Sequence, residues 1–393
     1  MFSNRFQKNT ATNRLTRALE ERRASGAPIL DLTESNPTRS GFTYDTAEIM
    51  SAISQPGAML YEPHPQGLLA AREAVAAYYQ ERGIRVLPES LVLSSGTSDA
   101  YGCLFKLLAD PGDEILVPVP GYPLLTVLTE LDAVRLVPYR SVYDERSGWS
   151  IDIERVGNTV SNRTVAIAVV SPNNPTGSFL KRSELEALAQ LCRKFGLALI
   201  VDEVFSDYAA GPDDSRVVSA VTHAEALTFV LNGFSKIVGL PQLKLAWTHV
   251  SGPAALRGQA LSRLEFIADA YLSVGTPIQH AASRVLGLRR MVQEQITARL
   301  AENEAALRAL AGGVPSCTLL KREGGWYSVV RLPDGCADED LAVDLLIRDG
   351  VLAHPGYFYD FPSGSHLVLS LLTPPAAFRA GAERLAARLQ AGA

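Results

Sequence analysis

Seven short apolar runs alternate with amphipathic segments between about residue 68 and residue 250, and this alternation most limits the folds open to the chain. Each run has the length of a buried strand, and the intervening segments have the spacing of helices with one apolar face. Such alternation is typical of an α/β domain with a mainly parallel central sheet. The predicted strands cover residues 91–93, 114–118, 134–138, 165–170, 197–201, 228–231 and 243–250.

One of the intervening helices carries its own start signal. Ser183 and Glu186 have the spacing of a capping box, in which each side chain binds the backbone N–H group of the other residue. We expect a helix to begin there and to end near Gly196.

The pattern changes after about residue 275. A long helical stretch to about residue 312 is followed by strands near 326–330 and 366–371, which is typical of an α+β unit. The length of 393 residues also favours more than one domain. We therefore expect an N-terminal arm with part of a small domain at 1–50, a large domain at 51–275 and a small C-terminal domain at 276–393.

Charge and cysteine usage argue against several classes of protein. The net charge of -5 provides no attraction to nucleic acid or to an anionic membrane. The chain contains no run of eighteen apolar residues, and its start lacks the apolar core of a signal peptide. Its four cysteines lack metal-ligand spacing, so we expect free thiols, no metal and a cytoplasmic location.

Polar motifs fall at or just beyond the carboxyl ends of the predicted strands, where open α/β sheets bind their ligands. In chain order they are Ser95-Gly96-Thr97, Pro120-Gly121-Tyr122-Pro123, Asn173-Asn174-Pro175-Thr176-Gly177, Val201-Asp202-Glu203 and Ser235-Lys236. The first motif precedes a predicted helix, whose N-terminal N–H groups suit a phosphate. Together the motifs suit a lysine that binds an aldehyde cofactor.

With these motifs in this order, the chain from about residue 30 to residue 372 resembles the class I and II aminotransferases. The resemblance implies a fold-type I α/β structure, with a mainly parallel sheet and a smaller α+β domain built from both chain ends. It also implies pyridoxal phosphate as cofactor and a homodimer with shared active sites. The expected reaction moves an amino group from an amino acid to a 2-oxo acid.

The resemblance also implies roles for particular residues. Lys236 would form the Schiff base and move a proton, Asp202 would pair with the ring nitrogen, and Tyr122 would stack on the ring. The implied cofactor-binding residues are Ser95, Gly96, Thr97, Tyr122, Asn174, Asp202, Phe205, Ser235, Lys236, Lys244 and Tyr61 of the partner subunit. The family commonly has arginine at the position of Lys244, and lysine lacks the two-pronged geometry of arginine.

Phe205 departs from the family pattern, which has a tyrosine that donates a hydrogen bond to the cofactor ring oxygen. Tyr208 either compensates for that lost donor or serves only in packing.

Val368 is the second departure, because it occupies the position of the family's arginine that binds the substrate carboxylate. Either another cation replaces that arginine, or the substrate lacks a carboxylate there. The candidate cations are Arg14, Arg39, Arg322 and His366. The expected substrate-binding residues are Ser35, Asn36, Arg39 and Tyr359, and the aromatic loop at 354–361 favours an apolar or aromatic donor.

Two alternatives stay open on the sequence alone. A pyridoxal-phosphate-dependent lyase, decarboxylase or oxidase would use the same cofactor residues and change only the fate of the substrate. A cofactor-binding regulator of transcription would need a DNA-binding domain, and both the short segment before the resemblance and the net charge of -5 argue against one.

Overall fold

The computed structural model describes residues 3, 5, 12–314 and 317–391. Its helices are α1 (Arg14–Ala24), α2 (Thr46–Ile53), α3 (Leu69–Glu81), α4 (Thr97–Leu108), α5 (Leu124–Leu131), α6 (Ile153–Thr159), α7 (Arg182–Phe195), α8 (Phe234–Ile237), α9 (Ala254–Tyr271), α10 (Thr276–Gly287), α11 (Arg289–Ala311), α12 (Asp338–Asp344) and α13 (Pro375–Gln390). Within the described ranges, none of these helices combines the length and the apolar character that a membrane span requires.

The strands form one large sheet and two smaller ones. They are β1 (Leu30–Asp31), β2 (Leu91–Ser94), β3 (Glu114–Val119), β4 (Arg135–Asp144), β5 (Gly148–Ile151), β6 (Thr164–Val170), β7 (Ala198–Asp202), β8 (Thr228–Gly233), β9 (Ala246–Ser251), β10 (Thr318–Leu319), β11 (Tyr327–Arg331), β12 (Val351–Leu352), β13 (His354–Pro355) and β14 (His366–Ser370). The seven strands predicted between residues 91 and 250 are confirmed as β2, β3, β4, β6, β7, β8 and β9.

The large sheet has the strand order β2-β9-β8-β7-β6-β3-β4-β5. Strands β4, β3, β6, β7 and β8 are parallel to their neighbours in this series, whereas β9 is antiparallel to both β8 and β2. Apolar side chains pack on both faces of the sheet, with α3, α7 and α10 on one face and α4 and α9 on the other. This explains why β7 is apolar at its first four positions and buried at all five.

The start of α7 differs from the prediction. The helix begins at Arg182, one residue before Ser183, and Glu184 rather than Glu186 provides the carboxylate. Glu184 accepts the backbone N–H of Lys181 at 2.8 Å and that of Ile151 at 2.7 Å. Because Glu184 is buried, it joins the start of α7 to β5 instead of capping a solvated helix end.

Two residues with left-handed backbone conformation set other boundaries. Gly196, with φ of 70°, follows α7 and confirms the predicted end of that helix. Lys244, with φ of 54°, follows a short 3-10 turn at Pro241–Leu243. The predicted start of the seventh strand at residue 243 is therefore wrong, because a strand cannot continue through this conformation, and β9 begins at Ala246.

The second unit is built around the antiparallel sheet β10-β11-β14-β13, and the predicted strands near 326–330 and 366–371 are confirmed as β11 and β14. β1 pairs in parallel with β12, and Leu15 and Leu32 pack into the core of this unit. α10 lies past residue 275 but packs on α2 and α3 in the large core. We propose the division at 1–50, 51–275 and 276–393, with α10 as the helix that joins the last two parts.

Replacing Glu184 with alanine should lower the free energy of unfolding by about 2–4 kcal/mol, because two backbone N–H groups lose a charged acceptor. Denaturant unfolding followed by circular dichroism measures the change. Glu186→Ala, on the exposed face of the same helix, is the matched control and should change stability by less than about 0.5 kcal/mol. Equal stability of the two variants would contradict this account of the start of α7.

Candidate active site

The carboxyl edge of the large sheet brings the motif residues together. β6, β7 and β8 are parallel neighbours, so their carboxyl ends lie side by side. Asp202 is the last residue of β7, and Lys236 lies in α8 directly after β8. Asn174 follows β6, and Gly96 stands between β2 and α4. The topology therefore places a lysine, a carboxylate, an amide and a helix N-terminus around one site.

Lys236 lies among aromatic side chains. Its Nζ is 5.5 Å from the ring centre of Phe205 and 5.0 Å from that of Trp326, and its carbonyl oxygen accepts the Tyr208 hydroxyl at 2.7 Å. Burial lowers the pKa of Lys236 to about 8, and the charge of Asp202 partly opposes that change. A substantial fraction of the lysine is therefore a neutral amine near pH 8, which is the form that attacks a carbonyl carbon.

Asp202 is buried, with 8% of its surface exposed. Burial raises the pKa of its carboxyl to about 6, while the Val204 N–H at 3.1 Å, the Tyr101 hydroxyl and the charge of Lys236 each lower it. The Tyr101 hydroxyl acts on this carboxylate although it meets no partner at ordinary hydrogen-bond geometry. Near neutral pH Asp202 is thus mainly a buried carboxylate with room for a further donor.

The turn between β2 and α4 is open on the side that faces Lys244. A Cβ placed on Gly96 would lie 3.4 Å from the Lys244 Nζ, so the lysine approaches this backbone closely. The first N–H groups of α4, beginning at Thr97, have no partner within the helix. Ser235 lies nearby in α8 and is partly exposed. An anion of phosphate size would find N–H groups and a lysine charge here.

Ser95 differs from its expected role in this turn. Its N–H and its hydroxyl both donate to Asp99, at 2.9 and 3.1 Å, so neither group is free for a ligand. The Ser273 hydroxyl donates to the same Asp99 oxygen at 2.5 Å. Ser95 therefore shapes the turn through Asp99, and the sequence pattern alone did not reveal this pairing.

Tyrosine side chains line the side of the site that faces the second unit. Tyr122 is 49% exposed after β3, and the N–H of the preceding Gly121 donates to the carbonyl of Tyr359 at 2.9 Å. Burial raises the pKa of Tyr327 to about 12, and the neighbouring polar side chains of Ser35 and Asn174 oppose that change. Tyr327 was not predicted from the sequence, because only the tertiary structure brings β11 beside Ser35 and Asn174.

The N-terminal segment reaches the site beside β14. The Ser370 hydroxyl donates to the Glu34 carbonyl at 2.6 Å, and Ser370 pairs with Tyr327 across the small sheet, so Ser35 lies at the site. The Asn36 side-chain oxygen instead accepts the N–H and hydroxyl of Thr38. Asn36 therefore caps the turn that carries Arg39 and keeps only its amide nitrogen for other contacts.

Val368 lies in an apolar cluster with Trp149, Leu320, Val329 and Tyr359. It is almost completely buried, so no polar group occupies the position of the expected substrate cation.

Of the four candidate replacement cations, two are paired elsewhere and a third is uncharged at pH 7. Arg14 pairs with Asp340 at 2.6 Å, and Arg322 donates to Glu304 and to the Gly325 carbonyl. Burial lowers the pKa of His366 to about 4, so this ring is neutral at pH 7.

Arg39 is exposed, and none of the described carboxylates pairs with it. It is therefore the remaining candidate of the four.

Phe205 and Tyr208 resolve one of the open sequence alternatives. Phe205 packs against Trp326 at 5.2 Å and borders the lysine, and Tyr208 also packs on Trp326 while its hydroxyl binds the Lys236 carbonyl. Tyr208 thus serves in packing and in holding the lysine backbone, and it does not replace the missing donor.

The side chain of Asn174 suits a ligand ring that carries an oxygen substituent. Its buried side-chain oxygen has no hydrogen-bond partner, and its amide can present either terminal atom to a ligand. The free N–H groups at α4, the Lys244 charge, the buried Asp202 and the neutral fraction of Lys236 match the phosphate, ring nitrogen and aldehyde of pyridoxal phosphate. In the described ranges no cluster of three or more His, Cys, Asp or Glu side chains could hold a metal ion.

Replacing Tyr101 with phenylalanine should raise the pKa of Asp202 above about 6, because the hydroxyl lowers that pKa in the wild-type protein. Infrared titration of the cofactor-free protein measures the change. The band of Asp202 is the carboxyl band that is absent from the Asp202→Asn variant. Tyr139→Phe, which removes another buried hydroxyl, bound to the Ala168 carbonyl, is the control. If Asp202 titrates with the same midpoint in the wild type, Tyr101→Phe and Tyr139→Phe proteins, then Tyr101 does not change its pKa.

Comparison with known proteins shows the family to which this chain belongs. The sequence profile of the family "Aminotransferase class I and II" matches residues 27–384. The alanine aminotransferase of Mycobacterium tuberculosis (strain ATCC 25618 / H37Rv) is 31% identical over 373 residues, covering 92% of this chain and 86% of that protein. The glutamate-pyruvate aminotransferase AlaA of Escherichia coli (strain K12) is 28% identical over 349 residues, covering 87% of this chain and 85% of that protein.

Solved structures share the fold over the whole chain. An aminotransferase from Escherichia coli superimposes with a TM-score of 0.87 at 26% identity, covering 99% of this chain and 98% of that one. The alanine aminotransferase from Pyrococcus furiosus has a TM-score of 0.89 at 23% identity, with full coverage of both chains. The architecture is therefore that of the fold-type I aminotransferases, and this chain belongs to the class I and II aminotransferase family.

Proposed function

We propose that this aminotransferase works with pyridoxal phosphate held between Lys236 and Asp202. The observation that carries the proposal is the meeting of a lysine of lowered pKa with a buried carboxylate at neighbouring strand ends. When bound, pyridoxal phosphate supplies an aldehyde that takes up the amino group and a ring that accepts electrons from the substrate Cα. Asp202 would keep the ring nitrogen protonated, and Lys236 would hold the cofactor covalently.

The remaining contacts in this proposal orient the cofactor. The N–H groups of Gly96 and Thr97, the Ser235 hydroxyl and the Lys244 ammonium would bind the phosphate, and Ser95 would support them through Asp99. Tyr122 would cover one face of the ring, and Asn174 would donate to the ring oxygen. Phe205 would border the ring without a hydrogen bond, because its side chain carries no donor.

Lys236 also has the properties of the group that moves the proton. Once the substrate amine has replaced it, its amine would take the proton from the substrate Cα and return it to the cofactor side. A pKa of about 8 makes the neutral form available near physiological pH. The aromatic rings of Phe205 and Trp326 beside the Lys236 Nζ would help to keep water away from this amine.

The substrate side would be formed by Ser35, Asn36, Tyr359 and Arg39. With Val368 at the usual cation position, Arg39 is the candidate that we assign to the substrate carboxylate. Tyr359 and Tyr327 make this wall aromatic, which supports a donor with an apolar or aromatic side chain. The names of the relatives, alanine and glutamate-pyruvate aminotransferase, support pyruvate as an acceptor to test first.

A homodimer is part of the proposal. Several large apolar side chains are exposed before α3 and on α9: Met59, Leu60, Tyr61, Phe266 and Tyr271. Tyr61 is 76% exposed and borders a cavity of about 60 Å³ that Asp99 and Ser273 also line. A second copy that covers this surface would remove it from water and bring Tyr61 of the partner subunit toward the phosphate site.

We also propose that the enzyme is cytoplasmic. The four cysteines, Cys103, Cys192, Cys317 and Cys336, are all free thiols. Burial raises the pKa of the Cys192 thiol to about 12, so this thiol resists oxidation. Free thiols of this kind are typical of a reducing compartment.

Replacing Lys236 with alanine should abolish amino transfer and remove the covalent label that borohydride leaves on the cofactor-loaded enzyme. Mass spectrometry of the reduced protein locates the label, and Lys194→Ala, on the exposed end of α7, is the control that should keep both properties. A borohydride label on another lysine in the Lys236→Ala protein would refute the assignment of Lys236.

Replacing Arg39 with alanine should raise the dissociation constant of an α-amino acid donor by roughly two orders of magnitude, the worth of a charge-assisted hydrogen bond of about 3 kcal/mol. Single-turnover spectroscopy without acceptor measures this constant. Arg14→Ala is the control, because Arg14 already pairs with Asp340 at 2.6 Å. This variant should leave the dissociation constant of the donor unchanged. Unchanged affinity in the Arg39→Ala enzyme would show that Arg39 does not bind the carboxylate.

A further inference from the structure

A cavity of about 350 Å³ lies between the β4–β5 hairpin and the small antiparallel sheet. Arg140 and Tyr143 of β4 line it together with Arg155 of α6, and Arg331 and His366 line it from β11 and β14. Its lining residues therefore include three arginines and no aspartate or glutamate. This charge contrasts with the net charge of -5 of the whole chain.

The arginines are only partly neutralised by neighbouring carboxylates. Arg140 is exposed and pairs with none of the described carboxylates. The Arg155 Nε lies 3.9 Å from Asp152, whose other oxygen already accepts the Arg155 N–H at 3.0 Å. Arg331 donates to Glu145 at 2.6 Å, but both side chains are exposed, so water and salt weaken this pair.

Three positive charges around one cavity of this size repel one another. Dissolved ions screen such charges over a Debye length, roughly 10 Å at 0.1 M salt, so added salt would weaken the repulsion. Two of the charges come from β4 and α6, and the third comes from β11 in the small sheet. An anion in the cavity would turn this repulsion into an attraction that joins the hairpin to the small sheet.

The cavity also has aromatic walls and polar atoms without partners. Phe361 stacks on His366 at 4.2 Å and packs against Trp149 at 6.3 Å. The buried Trp149 Nε1 and His366 Nδ1 have no hydrogen-bond partner in the described part of the chain. The walls suit a ligand that combines acidic oxygens with a small apolar body.

We propose that this cavity binds a small organic anion, a carboxylate or a phosphate compound, through Arg140, Arg155 and Arg331. None of its lining residues is among those gathered around Lys236, so the site is separate from the one that carries out amino transfer. Trp149 packs in one cluster with Tyr359, and through this cluster the bound anion contacts the wall of the catalytic site.

Isothermal titration of the cofactor-loaded enzyme with inorganic phosphate, succinate and benzoate tests the proposal. We expect saturable binding of at least one probe with a dissociation constant at or below about 1 mM. Arg140→Gln and Arg155→Gln should each weaken it about tenfold, and the double variant about a hundredfold. Arg146→Gln, an exposed arginine of the same hairpin that does not line the cavity, is the matched control and should bind like the wild type.

The probes and variants separate the outcomes. Binding of phosphate alone identifies a phosphate compound as the ligand, and binding of succinate or benzoate alone identifies a carboxylate. Binding should persist in the Lys236→Ala protein, because the cavity does not depend on the catalytic lysine. Failure of all three probes to saturate below about 10 mM would overturn the proposal, since such affinity is no better than weak ion pairing. Equal binding by the wild type and the Arg140→Gln, Arg155→Gln enzyme would overturn it as well.

Discussion

The rest of the site depends on the electrostatic interaction between the buried Asp202 carboxylate and the buried Lys236 ammonium. Burial makes each charge unfavourable, raising the pKa of the carboxyl to about 6 and lowering that of the amine to about 8. Each group partly restores the charge of the other, so both remain able to exchange protons near neutral pH. Parallel pairing of β7 with β8 holds them at one sheet edge, and no local segment of the chain could do so.

Helix α4 couples two parts of the site. Its first N–H groups lie beside Lys244, and Tyr101, one turn after Thr97 on the same face, acts on Asp202. In the proposed function, a phosphate bound at the start of the helix would therefore be linked to the protonation of Asp202 through one rigid element. The packing of α4 against β8, β9 and α9 keeps that element in place.

The substrate end of the site depends on the second unit and on the N-terminal segment. Tyr327 and Trp326 reach the site from β11 and the residue before it, and Ser370 holds the Glu34 carbonyl beside them. Where other members of the family carry a cation, Val368 packs against Trp149 and Tyr359 in an apolar cluster. In the proposed function this wall would change how the substrate is bound, which is how one fold can serve different substrates.

The sequence by itself determined the α/β class, seven strands of the large sheet, the motifs at their carboxyl ends and Lys236, because these are local signals of apolar period and residue type. Only the tertiary structure decided that Tyr101 acts on Asp202, that Tyr208 binds the Lys236 carbonyl, and that Ser95 is occupied by Asp99.

The same division holds for the charged residues. The sequence left Arg322 as a candidate cation for the substrate carboxylate, but in the structure Arg322 forms an ion pair with Glu304. The arginines around the β4–β5 cavity showed no pattern along the chain, since Arg140 and Arg331 meet only when the hairpin packs on the small sheet. Contacts of this kind join residues far apart in sequence. Strand order and packing, which local propensity does not encode, therefore decide them.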